Sequence, residues 1–268
     1  MILTTLRNAR RSASLTLAGA AVATAFAVVP ASASAQGADL PAARALVDKH
    51  IAAAGGRPAL ERAATSHAKG TFTIPSAGLS GPLEVYSAPN RQSVRIELAG
   101  LGTLRSGFDG TTAWSLDPIS GARVLEGAER SAIVDATTPG AAFRDSSVIK
   151  SMETTSREEI AGVACYKVRV LWTSGRESHD CYGVESGLLH ASMAKQPSPM
   201  GEMELLVIVQ DYKDFGGVKM PTKTVQQVAG QEMMMTFDSM EMVAPPADAF
   251  ALPPEIQALV KPAAPSGR

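Results

Sequence analysis

The sequence predicts a mainly β protein with about 11–13 antiparallel strands. Short segments in which apolar and polar residues alternate recur from residue 71 to residue 243, and this period of two is typical of half-buried strands. Gly, Asp, Asn and Ser separate the segments at nearly regular spacing, as in hairpins. Few stretches have a helical period. No unit of roughly 20–50 residues repeats, so a solenoid or a propeller is not indicated.

The first residues have the pattern of a secretory signal peptide. Three Arg residues precede an uncharged run from Ser12 to Val29, and Ala33-Ser34-Ala35 fits the small-residue cleavage pattern. The run is shorter than the about 18–20 apolar residues that span a membrane, which argues against an anchor. We therefore expect cleavage after Ala35, removal of residues 1–35, and a periplasmic protein that does not span the membrane.

The remaining residues predict one domain and a short tail. Residues 36–260 suit a single large β domain, and residues 261–268, rich in Pro, Ala, Ser and Gly, are expected to be disordered. Removing the signal peptide takes away three Arg and no acidic residue, so the formal net charge changes from −1 to −4. Nucleic-acid partners favour basic proteins, and none is expected here.

The predicted elements follow in chain order. A helix over about residues 39–54 has its apolar residues on one side and ends at Gly55-Gly56. A run of strands follows, with a hairpin at Asp109-Gly110, and a short helix covers about residues 128–136. A second run of strands leads to a last short helix over residues 253–260.

The centre of the chain, from Gly162 to Met193, predicts a three-stranded β-meander. Apolar residues alternate with polar ones in its first strand, and turns at 173–176 and 185–187 separate the strands. A meander of this kind has one wet face and one apolar face. The apolar face needs either a cover or a ligand.

Two strands near the C-terminus have unusual patterns. Leu205 to Val209 is apolar on both faces, which predicts a central strand. Met233 and Met235 share a face, whereas Met240 has the opposite parity. This change of parity predicts a bulge near Asp238.

The two cysteines, Cys165 and Cys181, leave two outcomes open. An even number of cysteines in an oxidising compartment favours a disulfide. A two-residue Ser174-Gly175 loop opposes it, because Cys181 then lies opposite Val168, on the face that Cys165 avoids. A bridge requires an odd-length loop or a bulge. Otherwise the chain has two separate thiols.

No constellation predicts catalysis, a cofactor or a metal site. Ser192-Met-Ala-Lys195 has the SxxK spacing of penicillin-recognising enzymes, but it follows a strand, and no glycine follows Lys223-Thr224. The four histidines have no ligand spacing, and no phosphate-binding, dinucleotide-binding or zinc-hydrolase motif occurs. We therefore expect a non-catalytic protein without a cofactor.

Methionine is concentrated near the C-terminus, where nine of the eleven lie between Met193 and Met242. Met200 and Met203 resemble a methionine-type Cu(I) pair, because thioethers are soft ligands. Flexible Met side chains also line adaptable apolar pockets or fill a core. Core packing and pocket lining are the favoured interpretations.

Several short phrases occur together in one order along the chain. They are Ala54-Gly-Gly56, Tyr86-Ser-Ala-Pro89, Gly107-Phe-Asp-Gly110 with Trp114, Gly162-Val-Ala-Cys-Tyr166, Gly187-Leu-Leu189, Asp211-Tyr-Lys-Asp-Phe-Gly-Gly217 with Pro221, and Phe250 before Pro253. In this order the sequence resembles the bacterial outer-membrane lipoprotein-sorting-protein-like group of the LolA/LolB-like superfamily. The resemblance covers about residues 42–259.

The resemblance implies a strongly curved antiparallel sheet, close to an unclosed β-barrel, with helices covering its concave face. It also implies a non-catalytic periplasmic carrier for lipid or for the acyl chains of a lipoprotein. Strand parity then selects the expected ligand-binding residues, which are Leu83, Val85, Val94, Ile96, Trp114, Val168, Val170, Met233 and Met235. The alternative function is an envelope sensor or assembly accessory that binds a protein partner through the same fold.

Overall fold

The computed structural model describes residues 40–198 and 201–260, which form one antiparallel sheet with helices packed on it. The predicted signal peptide, residues 1–35, and the predicted tail, residues 261–268, lie outside the described residues. The strands are β1 Ser66–Ile74, β2 Leu79–Ala88, β3 Arg91–Leu98, β4 Gly102–Phe108, β5 Ala113–Asp117, β6 Gly121–Leu125, β7 Ile149–Ile160, β8 Val163–Trp172, β9 Glu177–Gly183, β10 Leu189–Ser198, β11 Gly201–Asp214, β12 Lys219–Val228 and β13 Gln231–Glu241. The α-helices are α1 Ala43–Ala53, α2 Arg57–Ala63, α3 Gly127–Thr137 and α4 Pro254–Gln257.

The sheet consists of two meanders joined at one seam. Its 13 strands have the order β6-β5-β4-β3-β2-β1-β13-β12-β11-β10-β9-β8-β7. The first strand, β1, therefore pairs with the last, β13, while β6 and β7 are the two edges. The sheet is curved and is not closed into a barrel, as the resemblance implied. Residues 126–148, which we call the connector, link the two edges and contain α3.

Helices α1 and α3 pack on the same face of the sheet, which we call the inner face. Helix α1 packs on Val168 and Val170, and α3 packs on Phe108 and Ala113. The residues of the inner face can be identified in every strand from the ladder pairs, because residues directly opposite each other in a ladder point to the same side of the sheet. The opposite side is the outer face.

Helix α1 begins at Ala43, later than the predicted start, and Asp39 lies outside the described residues. It ends where expected, because Gly55 and Gly56 have positive φ angles of 113° and 85°. A Cβ on Gly55 would lie 2.2 Å from the carbonyl oxygen of Gly217. Glycine at this position therefore allows the helix end to contact the β11–β12 turn.

The predicted bulge near Asp238 is confirmed. Lys69 of β1 pairs with Ser239, and the next residue, Gly70, pairs with Phe237. Asp238 is thus the extra residue, as the change of parity indicated.

The two-residue loop predicted between β8 and β9 is wrong. The amide of Trp172 donates a hydrogen bond to the carbonyl of Arg176 (2.9 Å), which encloses three residues, and Gly175 has a φ of +87°. Cys181 consequently lies opposite Lys167 rather than Val168. The odd-length loop brings both cysteines to the outer face.

Cys165 and Cys181 form a disulfide, with a Cα–Cα distance of 5.5 Å. Both residues are completely buried, and Ala191, Ile160 and Leu206 pack around them. Disulfides persist in oxidising compartments, so this bond indicates an extracytoplasmic protein. Within the described residues, none of the helices is both long enough and apolar enough to cross a bilayer.

Candidate functional site

An apolar surface occupies the inner face of β1–β4 and β13. Phe72, Leu83 and Leu98 are buried at its base. Half-buried side chains surround them, namely Ile74, Leu79, Val85, Val94, Ile96, Leu101, Leu104, Met233, Met235 and Phe237. No described member of this cluster belongs to a helix. We call it the inner apolar surface.

A cavity of about 1500 Å³ lies beside this surface, at the end of the sheet that carries the β8–β9 and β12–β13 turns. Met203, Leu205 and Val228 form part of its inner wall. On the inner face of β12, the residue after Val228 toward the inner apolar surface is Gln226, which pairs with Met233 of that surface. The cavity wall is therefore one inner-face pair away from the inner apolar surface. The cavity is open, and more than half of its lining residues are polar or charged, many of them on the outer face of β8 to β13.

Six of the nine residues that the sequence predicted as ligand-binding lie together on the inner apolar surface. They are Leu83, Val85, Val94, Ile96, Met233 and Met235. The ladders pair Leu83 with Ile96 and Val85 with Val94, so these four side chains are direct neighbours. Leu83 is 1% exposed, whereas the other five are half-buried.

Val168 and Val170 are also on the inner face, but α1 covers them. Both are 0% exposed and pack with Leu46 and Val47 of α1. They form closed core in this structure, and a ligand reaches them only if α1 moves away.

Trp114 lies on the outer face, apart from the other predicted residues. It pairs with Gly107, which pairs in turn with Ser93, and Ser93 pairs with Tyr86 of the outer face. A Cβ on Gly107 would approach the Trp114 ring to 3.1 Å, so the indole packs over this glycine. The ring is 2% exposed. Its position makes it an outer-face core residue.

Hydrogen bonds from the middle of α1 and from the segment before it hold the helix on the sheet. Lys49 Nζ donates to the carbonyl oxygen of Val184 (2.7 Å) beyond β9. Thr154 Oγ1 on the edge strand β7 donates to the carbonyl oxygen of Pro41 (2.6 Å) before the helix. These bonds add to the packing of α1 over Val168 and Val170, so the closed part of the inner face is firmly covered.

Two buried ion pairs hold the connector on the β8–β9 hairpin. Arg144 Nη2 lies 2.8 Å from Asp180 Oδ2, and the Asp180 side chain is 1% exposed. Arg176 Nε lies 2.9 Å from Asp135 Oδ2 on α3. Both guanidinium groups flank the Trp172 ring, at 5.0 Å and 4.5 Å from its centroid. We call this arrangement the connector clamp.

The groups around the clamp are held in their neutral forms. Burial lowers the pKa of His50 to about 4, and the positive charge of Arg144 adds to this shift. Burial also raises the pKa of the Tyr182 phenol above its usual range. His50 Nδ1 accepts a hydrogen bond from the amide of Leu189 (3.2 Å), which fits a neutral imidazole.

The Ser192 and Lys195 side chains of the SxxK sequence point to opposite faces of β10. Ser192 Oγ donates to Asp180 Oδ1 (3.1 Å) on the inner face, whereas Lys195 pairs with Glu204 and lies 3.4 Å from Glu202. Of the two methionines considered as a Cu(I) pair, Met203 lies in the cavity wall. Met200 lies outside the described residues.

Two polar side chains of the inner face were not predicted from the sequence. Thr224 and Gln226 lie on β12 between Met235 and Met233 of β13 and Val209 and Val207 of β11. Alternation places them on one face, but it does not show which face is the inner one. No sequence signal distinguishes them from ordinary strand residues.

Several solved structures, including the following three, are similar to this chain. A LolA superfamily protein from Nitrosomonas europaea matches with a TM-score of 0.52 and 15% identity, over 79% of this chain and 98% of that one. An outer membrane lipoprotein-sorting protein domain from Vibrio parahaemolyticus matches with a TM-score of 0.50 and 8% identity, over 78% and 95%. A DUF1329 family protein from Desulfovibrio piger matches with a TM-score of 0.50 and 11% identity, over 77% and 95%.

The protein has a LolA-like fold. This confirms the fold that the sequence resemblance implied. No protein-family model and no curated protein matches the sequence. At these identities the solved structures show a shared fold.

Proposed function

We propose that this protein is a non-catalytic periplasmic carrier or binding protein for a hydrophobic ligand, such as a lipid or the acyl chains of a lipoprotein. The observation that carries the proposal is the inner apolar surface. A separate open cavity of about 1500 Å³ lies at the end of the sheet that carries the β8–β9 and β12–β13 turns. The disulfide supports an oxidising compartment, as the proposed location requires.

The energetics favour an acyl chain as the occupant. The apolar side chains around Leu83 are half-buried rather than fully buried, so they still expose area that a ligand can cover. Each methylene group removed from water contributes about 0.8 kcal/mol. A chain of ten or so methylenes therefore offers ample free energy for binding without any movement of α1.

Native mass spectrometry of protein purified from a periplasm tests the proposal directly. We expect a stoichiometric adduct, identified as a lipid or an acylated peptide after solvent extraction. A clean mass for the unliganded protein, with no uptake of added lipid, contradicts the proposal and favours the protein-binding alternative.

Substitutions on β3 test where the ligand binds. The double variant Val94→Thr/Ile96→Thr places two hydroxyl groups on the inner apolar surface. Val94→Thr keeps the side-chain shape nearly constant, and Ile96→Thr also removes one terminal carbon. We expect the affinity for a long-chain lipid to fall by about tenfold or more, because polar groups buried without partners weaken binding. The matched control is Arg95→Gln, since Arg95 lies between the two and points to the outer face. Equal affinities for the double variant and the control would place the ligand elsewhere.

A further inference from the structure

The inner face contains one buried hydroxyl group without a partner. Thr224 is 7% exposed, and its Oγ1 is the one buried side-chain nitrogen or oxygen that makes no hydrogen bond in the described part of the chain. Buried polar groups in folded proteins are nearly always paired, and an unpaired one destabilises the protein. Valine has almost the same shape and would avoid this cost.

The cross-strand neighbours of Thr224 are apolar. It lies opposite Met235 on β13 and opposite Val209 on β11. Gln226, two residues further along β12, lies on the same face opposite Met233. The two polar side chains are therefore about 7 Å apart in a row, with the inner apolar surface on one side and apolar β11 residues on the other.

We propose that Thr224 and Gln226 bind the carbonyl oxygen of an acyl ester whose hydrocarbon chain lies against Met233 and Met235. This inference rests on the proposed function and adds the ligand atom that the site recognises. A threonine hydroxyl and a glutamine amide can each donate a hydrogen bond, and an ester carbonyl accepts them. The Thr224 hydroxyl is covered in the ligand-free protein, and the flexible Met235 side chain beside it can move to admit the ester.

A pair of matched lipids tests the proposal. Monopalmitoylglycerol contains the ester carbonyl, whereas the hexadecyl ether of glycerol has the same headgroup and chain length without it. We expect the wild-type protein to bind the ester about 3- to 10-fold more tightly, as one or two hydrogen bonds predict. Thr224→Val should lower the ester affinity toward that of the ether, because only the Gln226 donor remains, and should leave the ether affinity unchanged.

Thr236→Val is the control variant, because Thr236 follows Met235 on β13 and points to the outer face. It should keep the preference for the ester. Thermal unfolding checks the fold, and Thr224→Val should be at least as stable as the wild type because it removes an unpaired buried hydroxyl.

The failures of the two proposals are distinguishable. If the wild type binds both lipids equally, or if Thr224→Val weakens both equally, the ester site is wrong and lipid binding stands. If neither lipid binds, the proposed function fails, and the ester site fails with it. A parallel titration with a diacylated peptide and its dialkyl ether analogue identifies the source of the ester. A larger ester preference for the peptide indicates a lipoprotein, and a smaller one indicates a free lipid.

Discussion

At the scale of single residues, the connector clamp places a buried ion pair, Arg144 with Asp180, close to a neutral histidine, His50. Asp180 accepts hydrogen bonds from Arg144, Tyr182 and Ser192, so its carboxylate is buried but well paired. Removal of one partner from such a pair typically destabilises a protein by about 3–5 kcal/mol, because an uncompensated buried charge remains. The same environment keeps His50 neutral.

His50 should make the protein less stable as the pH falls. The folded protein binds a proton at this group only near pH 4, whereas the unfolded chain binds it near pH 6.5. Between these values the unfolded state binds more protons, so the free energy of unfolding decreases as the pH falls from about 6.5 to about 4. His50→Asn removes this titration and retains an acceptor for the Leu189 amide.

Urea unfolding measured between about pH 7.5 and about pH 4.5 tests this expectation. The variant should lose less stability than the wild type over this interval. Parallel pH profiles for the two proteins would show that His50 is not a source of the dependence.

At the scale of elements, loop length determines the chemistry of the central hairpin. The three-residue loop between β8 and β9 places Cys181 opposite Lys167, diagonal to Cys165 on the outer face. A two-residue loop would put the cysteines on opposite faces. One residue in a turn therefore decides whether the disulfide can form.

The disulfide should contribute substantially to stability. It closes a loop with a sequence separation of 16 residues, for which a chain-entropy estimate is about 3 kcal/mol. The variant Cys165→Ala/Cys181→Ala should lower the free energy of unfolding by about 2–4 kcal/mol. Urea unfolding with and without a reductant measures this, and reductant should destabilise the wild type but not the variant. An effect of reductant on both would implicate another cause.

The helices divide the inner face into closed and open parts. Helix α1 covers β8 and β9, and α3 covers the region around Phe108. The strands from β1 to β3 and β13 have no helix against their apolar side chains among the described residues. The alternation of apolar and polar residues does not distinguish a strand that a helix covers from one that is open. The sequence therefore grouped Val168 and Val170 with Val94 and Met233.

At the scale of the whole molecule, the β1–β13 seam unites the two meanders. Because the first and last strands pair, the sheet is complete only when residues up to Glu241 are present. The seam contains the bulge at Asp238 and a close contact at Gly70. A Cβ on Gly70 would lie 1.8 Å from the carbonyl oxygen of Thr236.

Gly70→Ala should therefore destabilise the entire domain. The Thr236 oxygen and the Phe237 Cα, which would lie 2.8 Å from the added Cβ, cannot rotate away because both belong to the backbone. We expect a loss of about 3 kcal/mol or more. Gly78→Ala is the control: it has open space around its Cβ position and a φ of +63°, so strain of about 1 kcal/mol is expected. Cooperative urea unfolding measures both. Equal effects of the two substitutions would show that the seam tolerates the extra methyl group.

Local sequence patterns were sufficient to predict most of the strands of this protein. Alternation of apolar and polar residues predicted the strands, and parity predicted the bulge near Asp238, because both depend only on neighbours along the chain. The order of short phrases predicted the LolA-like fold. Within one strand, pairs such as Val94 and Ile96 share a face whatever the tertiary structure.

Tertiary structure alone decided which faces meet and which remain open. The side of the sheet on which Trp114 lies depends on pairing across β4 and β5, and the burial of Val168 depends on α1, more than a hundred residues earlier in the chain. The unpaired hydroxyl of Thr224 likewise exists only because β11 and β13 enclose it. Face sharing within a strand is a local property, but exposure is set by distant segments, and ligand binding depends on exposure.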